Sequence, residues 1–301
     1  MDPRRARNRN RDRRRAALDP LCRLAAIPFA GPGSGGGTAR AARSSSTADS
    51  RRTHRAPTRR GQWEAARAEL AAEGAELRGT LRLCGVSSAL ATLAAPGVAS
   101  LRKTHPLAEP RIIEEENVDC YRLLLADEAD IALVLPGPGA PPATDSRFEQ
   151  TPLTTDRQDL LVAATHLLAR RKGIELAEAA DQPWIVKKHN NDTYPLVTAA
   201  CAAGFMPRIV HGAKEWYAVS ALVAEALGVC PMPRIVPLPE HAVKRIPLRG
   251  KSIPTRQLLT AVRRGSSGHP LVSAGLAALR DIASTGEALP VPVSPGTPRR
   301  P

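Results

Sequence analysis

Through most of the chain, short apolar strands alternate with helical segments, and this alternation is the strongest constraint on the fold. The alternating segment "GTLRLCGV" (79–86) is followed by the helical "LATLAAPGVASLRKTHP" (90–106) and by a second strand, "PRIIEEE" (110–116). Asn117 is a suitable N-cap for the next helix, and "ADIALVL" (129–135) is a nearly all-apolar strand. Such strands are typical of parallel sheets covered on both faces. The βαβαβ order therefore predicts an α/β sheet domain.

A second series of strands and helices follows a proline-rich loop at 136–146. Its last helix begins at Pro270, where the missing N–H costs little. Two α/β modules in series, without a catalytic motif, indicate a hinged binding protein. In this second series, strands are predicted at 158–164, 183–188, 207–212, 229–233, 243–248 and 255–265, and helices at 174–182, 194–205, 215–228 and 270–284.

Residues 1–60 differ in character from the rest of the chain. They contain 16 arginines and four aspartates, and so carry +12 of the chain's formal charge of +14. Residues 31–60 have no aliphatic side chain larger than alanine, so they cannot bury enough surface to offset their ordering entropy. We predict that 1–60 and the proline-rich tail at 286–301 are disordered. An amphipathic helix is predicted to begin near Gly61.

Several classes of site and location are excluded by the pattern of residues. The five cysteines form no CxxC pair, and we interpret Cys84, Cys120, Cys201 and Cys230 as small core residues. The chain has no phosphate-binding loop motif and no run of about 18 apolar residues that would span a membrane. The sequence therefore predicts a cytoplasmic protein with no metal and no cofactor.

Seven segments, in order over about 220 residues, match the pattern of one known family. "LLLADEADIAL" (123–133) is similar to "L-x-x-G-x-L-D-x-A-I", with Asp127 where glycine is usual. "PLTTDRQDLLVAATHLLA" (152–169) is similar to "PL-x-x-D-x-x-x-L-V-x-x-x-x-HPLA", with Leu167 in place of proline. "LAEAADQPWI" (176–185) is close to "LADLADEPWI". From about Gly61 to Ser284, the chain resembles the LysR-type transcriptional regulators in their connecting helix and effector-binding domain.

This resemblance implies an α/β, two-lobed fold like that of the type II periplasmic binding proteins. Two crossover segments would form a hinge, and closure of the lobes on a ligand would bias the arrangement of subunits. The implied organisation is a disordered basic segment at 1–60, a connecting helix at 61–78, and an effector-binding domain at 79–285 with subdomain I at 79–155 and 241–285 and subdomain II at 156–240.

The resemblance also indicates where an effector would bind, in the cleft between the lobes. Ser87 and Ser88 follow the first strand, where hydroxyls and helix N-terminal amides suit a carboxylate. The polar segments at 187–194 and 211–218 each precede a helix, and Val134 ends a sheet strand. A simple turn, a solvated loop and core packing are the purely structural alternatives. The candidate effector-binding residues are Ser87, Ser88, Val134, Asn191, Thr193 and Lys214.

The expected partners also follow from the family. They are a small organic acid as effector, promoter DNA in intact relatives, and further copies of the chain in a homodimer or homotetramer that uses the helix at 93–104. One alternative is a stand-alone small-ligand binding protein without DNA activity. Another is an enzyme on the same two-lobed fold, although the sequence shows no convergent acid, base or cofactor motif. We therefore predict a transcriptional regulator that is not an enzyme.

The first 60 residues depart from the family, whose members begin with a winged helix-turn-helix. The available length is suitable, but the apolar periodicity and the serine- and threonine-rich recognition helix are missing. We hypothesise that 1–60 are a frame-shifted translation, and that the genuine reading frame resumes near Gly61. The other interpretation is a basic arm that attracts phosphate backbones without reading base sequence.

Overall fold

The computed structural model describes residues 61–66, 77–137, 139–187, 193–238 and 240–285. Residues 61–66 are helical, and residues 67–76 of the predicted connecting helix lie outside the described residues. The segments 1–60 and 286–301, for which we predicted disorder, lie outside the described residues.

After the helical residues 61–66, the described residues form eleven strands and five helices of nine or more residues. Helix α1 (Ala95–Thr104) continues directly from a π-helical turn at Leu90–Ala94 and a helical turn at Ser87–Ala89. The other helices are α2 (Asn117–Leu125), α3 (Thr193–Ala202), α4 (Trp216–Ala224) and α5 (Pro270–Thr285). The strands are β1 (Gly79–Gly85), β2 (Ala108–Glu114), β3 (Ile131–Val134), β4 (Phe148–Ala163), β5 (Ile174–Glu175), β6 (Pro183–Lys187), β7 (Arg208–Ala213), β8 (Cys230–Pro233), β9 (Val243–Ile246), β10 (Leu248–Arg249) and β11 (Thr255–Arg263).

Two predicted elements differ from the structure. The helix expected at 174–182 is instead the short strand β5 followed by a 3₁₀ turn, Leu176–Ala179. A capping box between Glu175 and Glu178 begins this turn, and the strand β6 starts at Pro183, so there is no room for a longer helix. The strand expected at 158–164 is the second part of the much longer β4.

The long strand β4 connects two halves of one curled sheet. Its first part pairs antiparallel with β11, from Phe148 to Arg157. Its second part, from Gln158 onward, pairs with β8 and β9. In the first half the order is β2-β1-β3-β11-β4, with β1 parallel to β2 and β3. In the second half, β8 lies beside the parallel pair β6 and β7 through the bridge between Trp184 and Val229.

Each half has an apolar core on both faces of its sheet. In β1, Leu83 packs under α1 and α5, whereas the next residue, Cys84, packs under α2. In β4, Leu160 packs with Trp184 and α3, whereas Leu161 packs with α4. These alternations follow the two-residue period of strands, and they explain the continuous apolar runs in the sequence.

The chain passes between the two halves twice, through β4 and through the segment leading into β11. Before this second passage, β9 pairs with β4 and β10 pairs with β5. Ile246 and Leu248 of these strands pack in the same core as Trp184. The segment 243–249 therefore lies beside the second half, and the return crossover follows it.

Candidate functional site

The two predicted serines lie at the carboxyl edge of the first half-sheet. Ser87 begins the helical turn after β1, and Ser88 is buried there. The amide of Ala89 donates to the carbonyl of Val86, and Thr92 Oγ1 donates to the carbonyl of Ser88 at 2.6 Å. The helix therefore begins at this edge, and its first amides face the carboxyl ends of the strands. Such a helix N-terminus favours negatively charged groups.

The neighbouring parallel strand β3 ends at the same edge, where Asn117 fixes its backbone. Asn117 Oδ1 accepts from the amide of Leu135 at 2.8 Å, and its Nδ2 donates to the Leu135 carbonyl. The expected role of Asn117 as an N-cap is wrong, since the residue at that position is Glu116. Val134 is fully buried and packs with Cys120 and Phe148. Its side chain is thus part of the core below the edge.

The side chain of Arg256 reaches Ser88 from the crossover strand β11. Arg256 Nη2 donates to Ser88 Oγ at 3.0 Å, and its Nε donates to Asp156 Oδ2, also at 3.0 Å. The side chains of Arg256 and Asp156 are only 4% and 1% exposed. Because Ser88 Oγ accepts this hydrogen bond, its own O–H is directed elsewhere and is free to act as a donor.

The carboxylate of Asp156 also holds the start of the segment that follows β8. Its Oδ1 accepts from the amides of Arg234 and Ile235 at 3.0 and 3.3 Å. Burial raises the pKa of Asp156 above its ordinary value, and the attraction of Arg256 only partly opposes this effect. A second pair strengthens the same junction, since Arg234 forms two hydrogen bonds to Asp159 at 2.6 and 3.0 Å.

The second half contributes residues from the ends of its own parallel strands. Lys187, the last residue of β6, is only 5% exposed, which is unusual for lysine. The predicted Asn191 lies outside the described residues, and Thr193 is the first residue of α3. Lys214 lies exposed between β7 and α4. Trp216, two residues further on, is buried.

In the structure, the predicted Ser88 is hydrogen-bonded to Arg256, which is paired with Asp156. Neither Arg256 nor Asp156 was predicted from the sequence as a site residue. Arg256 and Asp156 lie 168 and 68 positions from Ser88, so their convergence depends on strand register. The segment 154–156 is part of the continuous strand β4, which holds Asp156 in register with Arg256. The sequence nevertheless indicated that both charges could be buried, because Arg256 and Asp156 each lie close to an apolar run that forms a buried strand.

Other functions would need a presented nucleophile, a metal-binding cluster or a membrane-spanning helix. Ser220 contacts His241 Nδ1 at 2.8 Å, but it is fully buried and its hydroxyl also donates to the carbonyl of Tyr217. A serine held in this way is not presented to a substrate. Among the described residues, no group of three His, Cys, Asp or Glu side chains is placed to hold a metal ion. Within the same residues, no helix is long and apolar enough to cross a membrane.

Comparison with protein families gives a match over residues 74–284 to the LysR substrate binding domain. Among curated proteins, the chain is 25% identical over 160 residues to the uncharacterized HTH-type transcriptional regulator YwbI of Bacillus subtilis, covering 52% of each chain. It is 27% identical over 157 residues to the HTH-type transcriptional regulator TtuA of Agrobacterium vitis, covering 51% of this chain and 50% of that protein. The chain thus spans about half the length of these curated relatives.

Solved structures with the same fold are also regulators or their effector-binding domains. HinK, a LysR family transcriptional regulator from Pseudomonas aeruginosa, superposes with a TM-score of 0.61 at 18% identity, covering 74% of this chain and 77% of HinK. The effector-binding domain of QuiR superposes with a TM-score of 0.60 at 20% identity, covering 69% of this chain and 99% of that domain. At these identities the likeness establishes the two-lobed fold.

Proposed function

The chain belongs to the LysR substrate-binding-domain family, and from this membership we propose that it binds a small organic acid between its two lobes. One observation carries the choice of an acid, namely the hydrogen bond from Arg256, itself paired with Asp156, to Ser88 at the helix N-terminus after β1, which leaves the Ser88 O–H to donate. Lys187 lies buried at the end of β6. A hydroxyl donor, a lysine and a helix N-terminus all favour a carboxylate.

The effector-binding residues in this proposal come from both lobes. Ser87 and Ser88 would receive the carboxylate through their hydroxyls and the first helix amides, with Arg256 behind them. Lys187 and the segment with Asn191 and Thr193 would approach it from the second lobe, and Lys214 would lie at the rim. Val134 would contribute only by setting the position at which β3 ends. The solved structures of the effector-binding domain of QuiR with shikimate and of that of BenM with benzoate support this choice, since both ligands are small carboxylic acids.

The hinge in this mechanism is the pair of crossover strands. Asp156 joins Arg256 to the backbone of Arg234, so the floor of the cleft and the second lobe share one network. An effector that contacts both lobes binds the closed form more tightly and shifts the population toward it. The proposed lobe boundaries are those that the family implies, except that the segment 243–249 lies beside the second lobe.

We also propose that the protein acts as a homo-oligomeric, non-enzymatic regulator in the cytoplasm. Two edge strands expose large apolar side chains, Ile112 and Ile113 on β2 and Ile209 and Val210 on β7. Uncovered edges of this kind are suited to pairing with a second copy. DNA binding is proposed for intact relatives, whose helix-turn-helix corresponds to a part of the chain outside the described residues.

The test of effector binding is a thermal-shift and calorimetric screen of small carboxylic acids, including shikimate and benzoate, against the whole chain. In Ser87→Asp, a carboxylate would repel the acid while suiting the helix N-terminus, so folding should be retained. We expect affinity for the best acid to fall at least about tenfold in Ser87→Asp. Ser87→Asn, which is similar in size and uncharged, is the matched control. Equal affinities in the two variants would contradict the proposed site.

A further inference from the structure

A second concave site lies at the opposite edge of the first half-sheet from Ser88. It is a cavity of about 390 Å³ between the helical residues 61–66, the amino-terminal part of β1, β2 and the start of α5. This volume lies in the range of small-ligand pockets. The cavity is lined by Glu64, Thr80, Leu81, Arg82, Arg111, Asp130, Arg263, Ser266, His269, Leu271 and Val272.

Two of the three arginines in this lining are neutralised by acidic side chains. Arg82 binds both oxygens of Asp130, at 2.7 and 3.0 Å. Arg263 Nε donates to Glu64 Oε1 at 2.8 Å, and its Nη2 lies 2.9 Å from Asp127 Oδ1. Burial disfavours ionised Asp130, but its hydrogen bonds to Arg82 and the charge of Arg263 keep its pKa below the ordinary value. Asp130 is therefore ionised, and all three acids are already paired with arginines.

The third arginine, Arg111, has no acidic partner in the described part of the chain, and its neighbour is another arginine. Arg82 and Arg111 are direct register partners on the parallel strands β1 and β2. Asp130 and Asp127 compensate Arg82, so Arg111 is left without a balancing acid among the described residues. A bound anion would supply that negative charge.

We propose that this cavity binds a small oxyanion, a carboxylate or a phosphate, held by the guanidinium group of Arg111 beside the acid-paired Arg82. The hydroxyl of Thr80 is a further donor on the same strand, and Leu271 and Val272 supply an apolar wall for a small organic body. Arginine suits this role because its planar donors match carboxylate and phosphate oxygens. The site is separate from the cleft, because Thr80 lies eight residues before Ser88, near the amino-terminal end of β1, and Arg82 lies in the middle of this strand.

The position of the cavity gives its occupant a structural consequence. Glu64 belongs to the helical residues 61–66, and it is buried against Arg263 of β11. The backbone of Gly61 also approaches Gly265 closely, just after β11 ends. A bound anion would therefore lie at the junction between the connecting helix and the first lobe.

The test is calorimetric titration of the whole chain with inorganic phosphate and, separately, with benzoate, in low-chloride buffer. The titrations use the wild type, Ser87→Asp to weaken the cleft, and Ser87→Asp combined with Arg111→Gln to weaken the cavity, with Arg111→Lys to retain the charge, or with Arg170→Gln as the control. Like Arg111, Arg170 is exposed and has no acidic partner in the described residues. The two anions separate a preference for phosphate from one for carboxylate.

We expect at least one probe to bind Ser87→Asp saturably, and to bind Ser87→Asp carrying Arg111→Gln at least about tenfold more weakly. With the same Ser87→Asp change, Arg111→Lys should lose less affinity than Arg111→Gln, and Arg170→Gln should match Ser87→Asp alone. The proposal is overturned if, with this change, Arg111→Gln and Arg170→Gln bind both probes equally, or if neither probe binds Ser87→Asp. If neither probe binds Ser87→Asp, any binding to the wild type occurs in the cleft. The cavity proposal can therefore fail while the cleft proposal stands.

Discussion

Arg256 and Asp156 lie directly opposite each other on β11 and β4, and their buried ion pair joins the two strands where β4 changes partners. Asp156 lies two residues before Gln158, the first residue of β4 that pairs with the second half of the sheet. The pair thus fastens one half of the sheet to the other at the crossover, and through Ser88 it also reaches the proposed effector site.

Removing either partner of this pair should destabilise the fold strongly, because an uncompensated buried charge remains. We expect Arg256→Gln to lower the free energy of unfolding by about 3–5 kcal/mol, as for other buried pairs. In the double variant with Asp156→Asn, the loss should be smaller than the sum of the single losses by about 1–3 kcal/mol. Urea unfolding of the four proteins measures this cycle. Additive losses would show that the two side chains are not coupled.

The pair of Asp130 with Arg82 predicts a specific dependence of stability on pH. The pKa of Asp130 is lowered in the fold, so its stabilisation is present above the ordinary carboxyl pKa of about 3.9 and is lost as the pH falls through the folded value. The difference in unfolding free energy between the wild type and Asp130→Asn should be constant near neutral pH and shrink in acid. Asp119→Asn, which removes an exposed pair with Arg122, is the control. A difference that is unchanged in acid would contradict this assignment.

Much of the fold was predictable because the alternation of apolar residues is a local signal. The strands β1 and β3, the helix α2 and the serines after β1 all followed from patterns within about ten residues. Arg256 was missed because its partners, Asp156 and Ser88, are set by the register of β11 and the start of a helix far away in sequence. Arg111 was missed for the same reason, since only the pairing of β1 and β2 places it beside Arg82.

Two glycines in the second lobe should respond differently to alanine. A Cβ at Gly228 would lie 2.6 Å from the carbonyl oxygen of Pro183, at the place where β6 meets β8, so Gly228→Ala must displace backbone. We expect a loss of about 1–3 kcal/mol by overpacking. Gly204 has a φ of +83° and open space around its Cβ position, so Gly204→Ala should cost only about 1 kcal/mol of backbone strain. Thermal unfolding compares the two variants. A smaller loss of stability in Gly228→Ala than in Gly204→Ala would contradict the close contact between Gly228 and Pro183.

The exposed edge strands give the final prediction, which concerns assembly. If β2 and β7 pair with a second copy, a glutamate introduced on either strand would be buried at the interface without a partner. Association should therefore weaken. We expect Ile112→Glu and Ile209→Glu to shift the chain toward monomer in light scattering coupled to gel filtration, at a concentration where the wild type is oligomeric. Val118→Glu is the matched control, because Val118 is an even more exposed apolar residue, but it lies on α2. If the Val118 variant dissociates and the two isoleucine variants do not, the interface lies on the α2 surface.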